Sequence, residues 1–170
     1  MKYITEIKSE PISGVEIIDL FGINPHSYSD CEFVRIKDAL TYDAIINLKV
    51  ESDYSPTFKQ CEIINDIVLI GYGNRFSIFD LTDKKIKADL LFEGYFGSFK
   101  VDNGEILIAT DSELLNLNFR GDKNWKTDNL GIDGVLISKI TETEIIGNGE
   151  WNPPGGWESF KLDRNTGLKK

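Results

Sequence analysis

Residues 67–86 read IVLIGYGNRFSIFDLTDKKI, and this stretch decides the fold class. Ile67-Val68-Leu69-Ile70 is a short apolar run rich in β-branched residues. Gly71-Tyr72-Gly73-Asn74 follows with the residues that tight turns demand. Arg75 to Leu81 is a second run, in which Phe76 and Ile78 alternate with Ser77 and Phe79 breaks the pattern. Two such runs around a Gly/Asn turn spell strand, turn, strand. Thr82-Asp83-Lys84-Lys85 is the next turn, and Ile86 to Phe92 reads as another short strand.

The same syntax recurs downstream. Glu105 to Thr110 is a strand, Asp111-Ser112 a turn, and Glu113 to Phe119 the partner strand; Asn124-Trp125-Lys126 begins another. A third copy opens at Thr143-Glu144-Ile145-Ile146 and runs through the excursion Glu150-Trp151-Asn152-Pro153-Pro154-Gly155-Gly156-Trp157 into Glu158 to Asp163. Ile67, Ile106 and Ile145 lie 39 and 39 residues apart. The strand-ending pairs Phe79-Asp80, Leu117-Asn118 and Leu162-Asp163 lie 38 and 45 apart, the surplus falling in the tryptophan excursion. A period of about 40 with several strands per unit is the spacing of propeller blades.

The units at 67–86, 105–125 and 144–170 resemble blades of quinoprotein-type and WD40-like propellers. In such blades a strand ending in a small residue leads to a strand ending near Asp, then to a turn of Thr-Gly or Asp-Gly character. Asp163-Arg164-Asn165-Thr166-Gly167 matches this best. The resemblance covers residues 57–170 and carries over no quinone site. It implies an all-β, antiparallel chain of blade-like repeats, as a small propeller or an open β-meander, with a β-sandwich as competitor. Residues 1–56 fit as a diverged first blade, with strands at Val15–Leu20, Glu32–Lys37 and Ala44–Val50 and a short helix at Lys37–Asp43. Residues 2–8 alternate well enough to supply the outer strand that the last unit lacks, which would close a ring.

Composition agrees. There are 22 Ile against 4 Ala, which favours pleated surfaces over helices. With 170 residues and 41% hydrophobic content, one domain with a substantial core is expected. The start, MKYITEIKSE, has no apolar run, and no segment is apolar for the length of a membrane span, so a cytoplasmic protein is expected. Cys31 and Cys61 lack CxxC partners and read as free thiols.

Nothing in the sequence spells a catalytic set. His26, the single histidine, sits in Asn24-Pro25-His26-Ser27 and reads as a loop residue. Asp102-Asn103-Gly104 and Asp163-Arg164-Asn165 have the residue types of calcium loops without the ligand spacing, and read as turns. Tyr95-Phe96-Gly97-Ser98-Phe99 reads as core aromatics on a bend. No cofactor, no metal and no enzymatic activity are expected.

The net charge of -9 argues against nucleic acid and favours a basic protein partner. Small, acidic, β-rich and without a catalytic set, the chain resembles bacterial toxin-immunity proteins in profile. That resemblance implies a cognate basic toxin, such as a nuclease, as partner. Candidate partner-binding residues are Trp151, Trp157, Glu150 and Glu158 in the excursion, with Asp30 and Glu32 on the acidic N-terminal side that also carries Asp38 and Asp43. The alternatives are a carbohydrate-binding or glycosidase-like module using Trp151 and Trp157, and a non-catalytic propeller-like scaffold.

Overall fold

The computed structural model describes residues 2–20, 30–52 and 57–170, except the side chain of Asp30. His26 and its loop lie outside the described residues. Fifteen strands and no helix are found among those described. Two compact units, Met1–Leu91 and Phe92–Lys170, divide the chain.

The first unit holds two sheets. One contains β1 (Tyr3–Lys8), β2 (Ile17–Asp19), β3 (Asp30–Asp38) and β4 (Ala44–Ser52) in the order β1-β3-β4-β2, with β2 parallel to β4. The other is the meander β5 (Lys59–Ile64), β6 (Ile67–Tyr72), β7 (Arg75–Asp80) and β8 (Lys85–Leu91), in chain order. The stretch that opened the sequence reading is therefore the central hairpin of this meander. Val34, Ile36, Ile46, Leu48, Val68 and Phe79 join one core across the two sheets. Ile78 is also fully buried, so β7 has no solvent face, and that is why Phe79 broke the alternation.

Two expectations for the N-terminal region are corrected. β1 does not complete the last unit: it pairs with β3 over six residues, from Tyr3↔Asp38 to Lys8↔Phe33, while Tyr3 and Ile7 pack on the core. Nor is there a helix at Lys37–Asp43. The Asp38 carboxylate accepts the N–H groups of Leu40 and Thr41 at 2.8 and 3.0 Å, and Tyr42 takes φ 60°, which closes a turn between β3 and β4. A carboxylate that captures local N–H groups competes with helix formation.

The second unit holds the meander β9 (Phe96–Asp102), β10 (Glu105–Thr110), β11 (Leu114–Asn118) and β12 (Lys123–Thr127), and a sheet of β13 (Val135–Ile140), β14 (Glu144–Glu150) and β15 (Trp157–Asp163). Leu107, Leu114, Trp125, Val135, Ile145 and Leu162 belong to its core. The aromatic stretch at 95–99 is not a simple bend but the start of β9. Phe96 and Phe99 are buried as expected, and the register slips opposite Ala109/Thr110, a bulge at Gly97 where an added Cβ would lie 3.1 Å from the Ala109 oxygen. Strands β5 and β13 were not separately foreseen, being short and half exposed.

The repeat is real, with one residue of adjustment. Val68↔Phe79, Ile106↔Leu117 and Ile145↔Leu162 are the equivalent cross-strand pairs, and all six side chains are fully buried. Val68 rather than Ile67 thus matches Ile106 and Ile145. One position further, Asp80, Asn118 and Asp163 turn the chain in the same way. Each side-chain oxygen accepts the N–H two residues on, at 2.8, 2.8 and 3.0 Å. At Asp102-Asn103-Gly104 the turn reading holds: Asn103 and Gly104 have φ 49° and 78°, the hairpin geometry that these residue types tolerate.

Arg164 ties the second unit together. It is 6% exposed. Its guanidinium meets Asp102 at 2.5 Å and Glu105 at 2.8 Å, and donates to the Thr141 carbonyl at 3.0 Å. Its own carbonyl accepts the Trp125 indole N–H at 2.8 Å. The β9–β10 and β13–β14 connections thus converge on one planar cation that stands in the turn after β15. Replacing Arg164 by Met strands two carboxylates beside a buried face, and is expected to cost about 3 kcal/mol in urea denaturation.

The turn carboxylates set the acid limb of stability. Backbone N–H donation from Thr82 holds Asp80 below its ordinary value of 3.8, and donation from the Thr166 hydroxyl does the same for Asp163. The unfolded chain therefore takes up protons first, so this stability is present above the ordinary value and is lost as pH falls through the folded values. Asn118 shows that an amide can make the same turn. The double variant D80N/D163N is expected to keep its neutral-pH stability and to show a flatter loss as pH falls below the ordinary carboxylate value, followed by circular dichroism titration.

Candidate functional site

The β14–β15 connection carries two exposed tryptophans, Trp151 and Trp157. The last pair of the hairpin is Glu150↔Trp157, and residues 151–156 form the loop. The loop is bonded to itself. Trp151 N–H donates to the Gly156 carbonyl at 2.8 Å, Gly156 N–H to Asn152 at 3.0 Å, and Trp157 N–H to Gly155 at 3.0 Å. Glu150 Oε1 accepts the Gly155 N–H at 2.5 Å. Pro153-Pro154 is cis. The Pro-Pro and Gly-Gly pairs explain the local shape: two fixed φ angles, then two residues without side chains.

A strap of chain before β13 holds this loop from below. Ile132 N–H donates to the Glu150 carbonyl at 2.7 Å, and Glu150 N–H to Gly134 at 2.9 Å. Leu130 N–H and Gly134 N–H in turn donate to Ser112 and Asp111, at 3.0 and 2.6 Å. Tyr95 donates its hydroxyl to the Asp133 carbonyl at 2.5 Å; burial, aided by Asp133, pushes its pKa up to about 12. The strap sits so close to β14 that a Cβ on Gly149 would lie 1.5 Å from the Leu130 oxygen.

On this rigid base the two tryptophans stay open, Trp151 at 37% and Trp157 at 42% exposure. They do different things. The Trp157 ring edge reaches to 3.1 Å of the position a Gly134 Cβ would take. Trp151 borders a groove of about 510 Å³ together with Leu130, Phe160, Glu158, Lys161 and Lys169. Its lining mixes apolar side chains with three lysines, at 161, 169 and 170, against Glu158.

Of the six residues singled out in sequence, the structure brings four together: Glu150, Trp151, Trp157 and Glu158. Glu150 spends one oxygen on holding the loop. Glu32 lies on β3 in the first unit and is ion-paired with Lys59 at 2.5 Å. The side chain of Asp30 is outside the described residues. Asp38 belongs to its own turn, as shown above. The lysines at 161, 169 and 170 were missed, because scattered cations in an acidic chain carry no sequence signal until strand pairing gathers them. Cys31 and Cys61 are both free, and burial pushes the Cys61 thiol up to about 12. Among the described residues no three His, Cys, Asp or Glu side chains converge on one point. Among the described residues no helix is long and apolar enough to cross a membrane.

No protein-family model matches the chain, and no curated protein matches it. Solved structures do. The chain is similar to BamB from Moraxella catarrhalis at 10% identity and a TM-score of 0.52, over 82% of this chain and 45% of that one. It is similar to the WD40 domain of Toxoplasma gondii coronin at 12% identity and 0.53, over 77% and 38%. It is similar to a chain of the Mitotic Checkpoint Complex at 11% identity and 0.58, over 98% and 54%. At these identities the likeness is one of fold. The chain has an all-β, propeller-type architecture, and spans about half or less of the length of these solved chains. The resemblance to toxin-immunity proteins gains no support from them.

Strap and loop predict opposite mutational outcomes. Gly149→Ala must push the Leu130 carbonyl away, and is expected to cost at least about 2 kcal/mol. Trp151→Ala removes an exposed ring and is expected to stay within about 1 kcal/mol. Urea denaturation of the two variants checks both.

Proposed function

We propose that this chain is a non-catalytic, propeller-like scaffold that binds a protein partner through the tryptophan loop. The observation that carries the reading is a pair of exposed tryptophans on a loop pinned by its own backbone and by the strap beneath. Tryptophan is enriched among residues that dominate binding energy, and a loop ordered beforehand loses little entropy on association. The propeller-type fold supports the reading in outline, and one of the similar solved chains belongs to an assembly, the Mitotic Checkpoint Complex.

The net charge of -9 supports a narrower form, in which the partner is basic and encounter is electrostatically steered inside the cytoplasm. Neutralisation of a basic toxin is the narrowest form, and it rests on the charge profile alone. The competing carbohydrate reading uses the same rings by stacking.

Affinity purification of the full chain from its native host, followed by native mass spectrometry, separates these readings. The expected result is one partner at fixed stoichiometry, with Trp151→Ala and Trp157→Ala each weakening it by at least about tenfold. Steep loss of on-rate with added salt would mark the basic partner. Undiminished partner binding by both variants, or glycan-array binding that both abolish, overturns the proposal.

A further inference from the structure

The two tryptophans of the loop have charged neighbours of opposite sign. Trp151 shares its groove with Lys161, Lys169 and Lys170. Trp157 is the cross-strand partner of Glu150, so these two side chains leave the same face of the sheet. The tip of the Trp157 ring lies 3.1 Å from the position a Cβ on Gly134 would take; the Tyr95 hydroxyl lies 3.6 Å and Glu150 Oε2 3.9 Å from the same point. Side chains from three separate segments thus converge on a spot that glycine keeps clear.

The surroundings of that spot are acidic. Asp133 Oδ1 lies 3.4 Å from the Tyr95 hydroxyl, which donates to the Asp133 carbonyl. The Asp111 carboxyl group rests against Gly94, its carbon 2.2 Å from where a Cβ there would stand, and Asp111 N–H donates to the Tyr95 carbonyl at 3.2 Å. Burial first, then the charges of Asp133, Asp111 and Glu150, keep the Tyr95 hydroxyl protonated. Among the described residues none of these three carboxylates stands in an ion pair, whereas Glu105, Glu113 and Glu144 of the same unit each do.

Uncompensated carboxylates beside an exposed aromatic ring attract a cation in two ways. The ring draws it through its quadrupole, and the carboxylates draw it through charge and hydrogen bonding. A guanidinium suits this arrangement. It is planar and can stack on the Trp157 ring, which is 42% exposed. Its fork of donors can reach Glu150 Oε2 and Asp133 Oδ1 together, and it gives up its water more readily than the compact ammonium of lysine.

We infer that Trp157, Glu150 and Asp133 form a site for one arginine side chain of a partner protein. The guanidinium lies on the indole ring and donates to the two carboxylates, and Asp111 adds its charge from beside Gly94. This rests on the protein-binding reading above and assigns the contact with a basic partner to one of the two tryptophans.

The test uses the full chain, isotopically labelled, and a blocked pentapeptide, Gly-Gly-Arg-Gly-Gly. On titration the Trp157 indole N–H signal and the Gly134 and Glu150 amide signals should move along a saturable curve, while the Trp151 indole signal stays in place. A peptide with citrulline, the neutral isostere, should bind at least about tenfold more weakly, and one with lysine at least about threefold more weakly. The double variant D111N/D133N should weaken the arginine peptide by at least about fivefold, while E62Q/E142Q, which removes two charges from exposed positions elsewhere, should leave it within about twofold. Unmoved Trp157 and Gly134 signals, citrulline or lysine peptides that bind as tightly as the arginine peptide, or equal weakening by the two double variants overturns the inference. A host partner that Trp157→Ala releases but D111N/D133N leaves unchanged overturns it too, and leaves the protein-binding reading standing.

Discussion

The central hairpin of each meander has no solvent face, and the rest of the structure answers to that constraint. Strands β6, β7, β10 and β11 are buried along almost their whole length. A strand buried on both faces must give every backbone group a partner within its own sheet and must place apolar side chains on both sides. In β6 and β7 the adjacent pairs Val68↔Phe79 and Leu69↔Ile78, on opposite faces and fully buried, satisfy the second demand, and flanking strands satisfy the first. The outer strands then need only one apolar face. They are correspondingly polar: β8 alternates Lys, Asp and apolar residues, and β12 buries Trp125 alone.

Polar groups fix what apolar burial leaves loose. A hydrophobic hairpin can slip by two residues and still bury its side chains, but the Asx turns at Asp80, Asn118 and Asp163 cannot be moved without losing their N–H donors. Arg164 does the same on a larger scale, since its guanidinium fits only where Asp102, Glu105 and the Thr141 carbonyl meet. In the first unit the buried Asn47 plays a comparable part, exchanging hydrogen bonds with the backbone of Ile12 at 2.9 and 3.1 Å. These are the residues at which specificity of fold and surface polarity are hardest to tell apart in a sequence.

The tryptophan loop closes the β14–β15 hairpin, and Trp151 lines a groove there with Phe160, Lys161, Lys169 and Lys170. The loop offers aromatic surface held by its own hydrogen bonds, and the lysines gathered beside it are opposite in sign to the chain's net charge of -9.

Much of the fold was legible because the signals were local. Gly73-Asn74 between two apolar runs, Asn103-Gly104 at a hairpin, and the 39-residue recurrence of Ile67, Ile106 and Ile145 need no knowledge of distant contacts. The N-terminal region was less legible because its sheet is not a meander. β1 reaches β3 across a connection, and β2 joins β4 in parallel, so neither pairing follows from adjacency. Trp151, Trp157, Glu150 and Glu158 could be grouped in advance, since one short loop holds them. Arg164 and the lysine rim could not, because an arginine in a turn looks solvated until carboxylates 59 and 62 residues away close around it. By itself, then, the sequence determined the strand class, the turns and the repeat, all set by steric and hydrogen-bonding preferences within a few residues. Tertiary structure alone decided which strands paired outside adjacency, which charges were buried, and which lysines came to line one groove, because each of those depends on chain segments meeting across long separations.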